Sequence, residues 1–215
     1  MKRAIDLLAS ALGLIFLSPL LLLIALLVKL DSRGPVFYRG SRVGLRGAPF
    51  HIFKFRTMVE DAERRGGPST AGDDPRITRV GGLLRKHKLD ELPQLLNVLR
   101  GEMSLVGPRP EVKRYVDLFT EEERAILGVR PGITDLASLW NRDEGEVLRG
   151  SADPERDYLE RIRPVKVRLQ LEYVEKRSLL LDLRILAATV LCVVLRPRPG
   201  MKAPVTPGLS TGPRA

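Results

Sequence analysis

Residues 2–31 read KRAIDLLASALGLIFLSPLLLLIALLVKLD. Lys2, Arg3 and Asp6 precede an uncharged run over residues 7–28, and Lys29, Asp31 and Arg33 close it. As a straight helix that run would reach about 33 Å, enough to cross a hydrocarbon core. A charged start and an apolar centre also suit a secretory signal. No small-residue cleavage site follows, however, and the downstream residues read as cytosolic chemistry, so the segment is expected to stay attached. Ser18 and Pro19 sit near its middle. Proline removes a backbone donor and crowds the preceding turn, which leaves two arrangements open: a kinked spanning helix, or a hairpin that enters and leaves one leaflet. Basic residues at both ends favour keeping both ends cytoplasmic.

Beyond residue 33 the chain changes character. Val36, Phe37 and Tyr38 form a short strand candidate, Gly40, Gly44 and Gly47 space a turn, and residues 50–55 read as a second strand. That predicts a small β-hairpin with a long turn. Residues 60–76 are rich in charge, Gly and Pro and read as a long polar loop. Leu92, Leu95, Leu96 and Leu99 recur at helical spacing, with Pro93 in the first turn and the helix start close to Asp90 and Glu91. An acidic helix is expected over 120–127 and a charged amphipathic one over 156–176, kinked or broken at Pro164. Residues 185–195 are uncharged but too short to span, which suits an interfacial or core helix. Prolines 197, 199, 204, 207 and 213 mark a disordered tail.

Lys and Arg outnumber Asp and Glu 36 to 26, a formal charge of +10. Such an excess suits a polyanionic partner: nucleic acid, a phosphorylated substrate or an anionic membrane surface. The single cysteine, Cys192, excludes an intrachain disulfide framework and a cysteine-based metal site. His51 and His87 lack the neighbours that a zinc site needs, and no nucleophile elbow supports a serine hydrolase.

Asp90 and Glu91 are adjacent carboxylates shortly after Arg85, Lys86 and Lys88. An acidic first turn is an ordinary way to favour a helix start. Neighbours on a helix also point about 100° apart, so one carboxylate can attack a phosphorus while the other holds a magnesium ion that screens a diphosphate. A diphosphate needs cations as well. On a strand, Lys54 and Arg56 would share one face. In PRITR, a helical turn would set Arg76 beside Arg79. Arg109 is held between Pro108 and Pro110, and arginine forks match phosphate oxygens in pairs. Each of these cations also has an ordinary reading as a solvated basic residue.

The strings KFRTM (54–58), DPRITRVGGLLRKHKLDELPQLLNVLRGEMSLVGPRP (74–110) and RPGIT (130–134) resemble the bacterial sugar transferases, the monotopic phosphoglycosyl transferases. The resemblance runs from Lys2 to about Arg184 and looks like the minimal catalytic form. It implies a transferase that moves a sugar-1-phosphate from a UDP-sugar to polyprenyl (undecaprenyl) phosphate, releasing UMP. That reaction is the first membrane step of polysaccharide, O-antigen or glycoprotein glycan assembly. Asp90 matches the family's nucleophile and Glu91 the carboxylate that positions Mg2+, in a ping-pong scheme. Lys54, Arg56, Arg76, Arg79, Arg109, Arg130 and Arg142 are the implied substrate-binding cations. Ser18-Pro19 matches a re-entrant helix-break-helix.

The expected fold is therefore mainly α with a small β-hairpin, in a monotopic membrane protein with amphipathic interfacial helices. Residues 1–33 form the membrane hairpin, 34–196 the cytosolic catalytic domain and 197–215 the Pro/Gly-rich tail. The active site is expected on the cytoplasmic face of the bacterial inner membrane, and a homodimer stays open. After RPGIT this chain reads DLASLWNR (135–142), unlike the small-residue stretch of many members, which leaves the sugar open. Two rivals remain. A nucleic-acid-binding protein is disfavoured by 5% aromatic content and dispersed charge. A membrane-anchored scaffold gives no reason for an Asp-Glu pair after so many basic residues.

Overall fold

The computed structural model describes residues 1–66 and 69–195, and the tail expected over 197–215 lies outside them. The apolar N-terminal run forms helix α1 (Lys2–Asp31), continuous through Pro19. Pro19 has no N–H for the carbonyl of Ile15; the Ser18 hydroxyl donates to that carbonyl instead, at 2.8 Å. The middle of α1 is bare, with Phe16 77% and Leu22 72% exposed. Both of its ends are docked on the rest of the chain. At the start, Lys2 pairs with Asp182 at 2.6 Å, and buried Asp6 accepts from Ser104 Oγ at 2.9 Å and the Leu105 N–H at 3.2 Å. At the far end Ile24 and Val28 pack with Phe55 and Leu84, and Asp31 accepts from the Val80 N–H at 3.1 Å. Each buried apolar side chain there contributes roughly 1.5–3 kcal/mol by leaving water.

The expected hairpin is split in two. Strands β1 (Phe37–Tyr38), β2 (Ser41–Val43), β3 (Pro49–His51) and β4 (Lys54–Phe55) make antiparallel pairs, β1 with β4 and β2 with β3. The glycine-spaced stretch read as turn thus supplies β2. A further pair has no counterpart in the sequence reading: β5 (Ser104–Val106) runs parallel to β6 (Gly132–Thr134). Two glycines permit it. A β-carbon on Gly132 would lie 2.1 Å from the Gly107 nitrogen, and one on Gly107 would lie 2.4 Å from the Arg130 carbonyl oxygen.

Helix α2 (Ala62–Arg65) interrupts the polar segment at 60–76, and α3 (Arg79–His87) follows, capped by the Thr78 hydroxyl. The helix expected from Asp90 begins later. Leu89–Glu91 is a 3-10 turn, Pro93 is the N-cap, and α4 covers Gln94–Arg100. Lys88, at φ 58°, takes the left-handed conformation that lets the chain reverse between α3 and this turn, at a cost of roughly 1–3 kcal/mol for a residue other than glycine. The helical turn expected to align Arg76 with Arg79 is absent: Ile77 bridges to Met58 in extended backbone, and only Arg79 is helical.

Helix α5 (Lys113–Val116) precedes a 3-10 segment at Glu123–Gly128, where an acidic α-helix is expected from residue 120. Then come α6 (Leu136–Trp140), α7 (Glu144–Val147), α8 (Pro154–Asp157), α9 (Arg163–Lys176) and α10 (Leu179–Leu195). Pro164 sits in the first turn of α9, where its missing N–H is harmless, and the irregularity falls one turn earlier as a π-helical turn at Tyr158–Ile162. Helix α10 buries Ile185 and Cys192 but exposes Leu183, Val190 and Leu191. The architecture is mostly helical with small strand pairs, and α1 suits a monotopic membrane anchor.

Candidate functional site

The reversal at Lys88 places Asp90 and Glu91 at the wall of a broad cleft, and their surroundings differ sharply. Asp90 is buried, and its Oδ1 has no hydrogen-bond partner among the described residues. Burial first, and the neighbouring Glu91 charge second, raise its carboxyl above the ordinary aspartate value. Glu91 is fully engaged. Lys54 Nζ donates to its Oε1 at 2.9 Å, Arg109 Nη1 donates to Oε2 at 2.9 Å, and Arg109 Nη2 also reaches Oε1. Burial pushes the Glu91 carboxyl up, but Arg109 and Lys54 outweigh it and hold the group well below the usual carboxylate range. Burial pushes the Lys54 ammonium down, against the pull of Glu91. One carboxylate is therefore unpaired and basic, while its neighbour gathers two cations beside it.

The remaining expected cations separate into three groups. Arg76 and Arg142 line the cleft, but Arg76 is held on Asp74 at 2.7 Å and on the Ala62 carbonyl at 2.8 Å. Arg79 is exposed on the first turn of α3 and Arg130 donates to the Gly101 carbonyl at 3.0 Å; both lie outside the cleft. Arg56 touches the cleft wall yet is buried, and its guanidinium donates to the carbonyls of Pro35 at 2.7 Å and Ser32 at 2.8 Å, and also to that of Arg33. The structure thus brings Lys54 and Arg109 onto the acidic pair, and turns Arg56 onto the chain that leaves α1.

Several positioning residues escape the sequence reading. Asn97, fully buried in α4, accepts from the Phe53 N–H at 2.9 Å and donates to the His51 carbonyl at 2.9 Å, fixing the segment that delivers Lys54. Asp135 caps α6 through the Ser138 N–H at 2.6 Å and also accepts from the Arg109 N–H. Their signals were a polar residue on an apolar helix face and the Asp-x-x-Ser cap spacing. Farther along the cleft, Lys166 pairs with Glu111 at 2.5 Å and donates to Tyr158 at 3.3 Å. Burial opposes the Lys166 charge, but Glu111 outweighs it and raises the group.

Among the described residues no three acidic, histidine or cysteine side chains gather as a metal cage. Magnesium held through one or two carboxylates and substrate phosphates needs no such cage. Glu91 fits that smaller donor set in charge, and would take the ion in exchange for one of its contacts with Lys54 or Arg109.

Residues 1–196 match the family described as bacterial sugar transferase. The undecaprenyl-phosphate glucose phosphotransferase of Komagataeibacter xylinus is 44% identical over 196 residues, 88% of this chain but 35% of its own length. The UDP-glucose:undecaprenyl-phosphate glucose-1-phosphate transferase of Caulobacter vibrioides is also 44% identical, over 88% of this chain and 68% of its own length. The exopolysaccharide production protein ExoY of Sinorhizobium fredii is 39% identical over 209 residues, 90% of this chain and 85% of its length. This chain therefore spans about a third of the Komagataeibacter relative and most of the other two.

Proposed function

The chain belongs to the bacterial sugar transferase family, and on that premise we propose that it transfers a sugar-1-phosphate from a UDP-sugar to polyprenyl phosphate through an adduct on Asp90. The observation that carries this reading is the contrast within the acidic pair. Asp90 is buried with a free oxygen, while Glu91 draws Lys54 and Arg109 to the same place. An Asp90 oxygen attacks the sugar-bearing phosphorus, the bond from that phosphorus to the bridging oxygen breaks, and UMP leaves with the electron pair. An oxygen of the polyprenyl phosphate then attacks the same phosphorus. The acyl phosphate bond breaks, Asp90 regains its carboxylate, and polyprenyl-diphosphate-sugar is formed. Lys54 and Arg109 orient the diphosphate and offset the charge that builds on it. Mg2+, held by Glu91 and substrate phosphates, would supply further screening of that charge. UDP-glucose is the first donor to test, because the names of the Komagataeibacter and Caulobacter relatives specify glucose.

The membrane arrangement proposed with it is a re-entrant α1, bent at Ser18-Pro19, with the cleft on the cytoplasmic face of the inner membrane. Two facts support this. Both ends of α1 bind the same body, through Lys2 and Asp6 at one end and Val28 and Asp31 at the other. The carbonyl that Pro19 orphans is already satisfied by Ser18, as lipid requires.

The test is to mix detergent-purified protein with UDP-glucose and Mg2+ without acceptor and weigh the intact chain. A phosphohexose adduct that maps to Asp90, with release of UMP, is expected; Asp90→Asn should show neither. An adduct on Glu91 would reverse the assignment. UMP release that requires acceptor, with no adduct at any time, would replace it by direct attack of the polyprenyl phosphate.

A further inference from the structure

One wall of the cleft is apolar, and the reaction at Asp90 makes no use of it. Ile133, Leu186, Thr189 and Val193 line it together with Trp140, in the same cleft that holds Lys54, Asp90 and Arg109. The wall is contiguous. Leu105 packs against both the core cluster that Leu186 joins and the one that Ile133 joins, and the Thr134 and Thr189 hydroxyls meet at 2.8 Å, joining β6 to α10. At its rim Trp140 is 42% and Val193 39% exposed, next to bare Val190 and Leu191 on the outer face of α10. Leu95, another lining residue, leans on α1: a β-carbon on Gly13 would lie 3.3 Å from its Cδ1. The cleft also has polar lining, with Glu111, Tyr115, Glu144 and Lys166.

A ligand that needs both the cations at Glu91 and this wall is an amphiphile, anionic at one end and apolar along its length. A nucleotide sugar is polar throughout and finds its complement in those polar residues. We propose that the wall of α6 and α10 carries the first isoprene units of the lipid phosphate acceptor, leading its phosphate from the exposed apolar faces of α1 and α10 to the adduct on Asp90. This rests on the transfer reaction proposed above and assigns the route of its second substrate. It also separates the two substrates in space: donor from the polar side, acceptor from the lipid side.

The test compares wild type, Leu186→Ser and Val193→Gln with a two-isoprene and an eleven-isoprene phosphate. Two readouts are used, adduct formation from UDP-glucose without acceptor, and KM for each acceptor. Both variants should form the adduct at the wild-type rate and raise the acceptor KM about tenfold or more, as expected for a lost apolar contact. The gain in affinity with chain length should shrink in both. Normal adduct formation with unchanged acceptor KM and unchanged length dependence overturns the tail path alone. A wild type that forms no adduct brings down the parent reading, and this one with it. Cross-linking of the wild type removes any dependence on how the variants fold. A diazirine on the first isoprene unit should label peptides of α6 and α10, and labels confined to α1 would overturn the route.

Discussion

Asp135 Oδ2 accepts a hydrogen bond from the backbone N–H of Arg109 at 3.0 Å. The same oxygen accepts from Gln170 Nε2 at 3.2 Å, and Oδ1 accepts from the Ser138 N–H at 2.6 Å. With no exposed surface, Asp135 ties the Pro-Arg-Pro segment to α6 and α9. Asp135→Asn turns one acceptor into a donor facing donors, which should cost about 1–3 kcal/mol. The melting temperature should fall by roughly 2–4 °C for each kcal/mol, and KM for the UDP-sugar should rise as Arg109 loses its seat. An unchanged melt and an unchanged KM together would remove the positioning role.

Asp90→Asn should abolish turnover and yet stabilise the fold. The folded-state carboxyl of Asp90 lies above its unfolded value, so the ionised group is a destabilising presence at neutral pH. That penalty is complete above the raised folded value and vanishes as pH falls to the unfolded one. Thermal melts should therefore show the Asn variant ahead by about 1 kcal/mol or more at neutral pH, with the gap closing on acidification. Wild-type adduct formation should fail on the acid side before an ordinary aspartate would protonate. A variant less stable than wild type at neutral pH would contradict the burial argument.

Arg109 and Arg56 should answer conservative substitution in opposite ways. Arg109→Lys loses a two-pronged contact to Glu91, so kcat/KM should drop about tenfold or more while the melt stays close to wild type. Arg56→Lys abandons several backbone carbonyls at the end of α1. It should lower the melting temperature with KM for the UDP-sugar unchanged. A selective rise in that KM in Arg56→Lys, at normal stability, would return Arg56 to the substrate.

The re-entrant arrangement proposed for α1 predicts that Ala4 and Arg33, both exposed, share one side of the membrane. Single cysteines at these positions, in a Cys192→Ser background, should resist impermeant thiol reagent in spheroplasts and react after permeabilisation. Labelling of Ala4→Cys alone in sealed spheroplasts would make α1 a spanning helix.

The long apolar helix and the adjacency of the two carboxylates were legible because each is written in consecutive residues: an uncharged run and LDELP. Choosing among the cations was not. Lys54 and Arg56 are two apart and would share a strand face, but β4 ends at Phe55 and the chain turns Arg56 toward α1. The β5–β6 pair is invisible to alternation because its strands are three residues long and 28 apart from Ser104 to Gly132. Its trace is the matched pair Gly107 and Gly132, where backbone meets backbone with no room for a side chain. The Asp135 cap on Ser138 is local, but its hold on Arg109 and that of Asn97 on residues 51 and 53 run to partners distant in sequence, so only the folded chain reveals them.

Lys2 and Asp182 are separated by 180 positions, and this has a consequence for biosynthesis. At roughly 5–20 residues per second a ribosome needs about 9–36 s to go from one to the other. For that interval α1 is present without the carboxylate that fastens its first turn. The contact with α10 is thus the last to form at this end: a chain stopped before Asp182 keeps the Lys2 bond to the Val106 carbonyl and the Asp6 bonds to Ser104 and Leu105, but holds the Lys2 charge without its carboxylate.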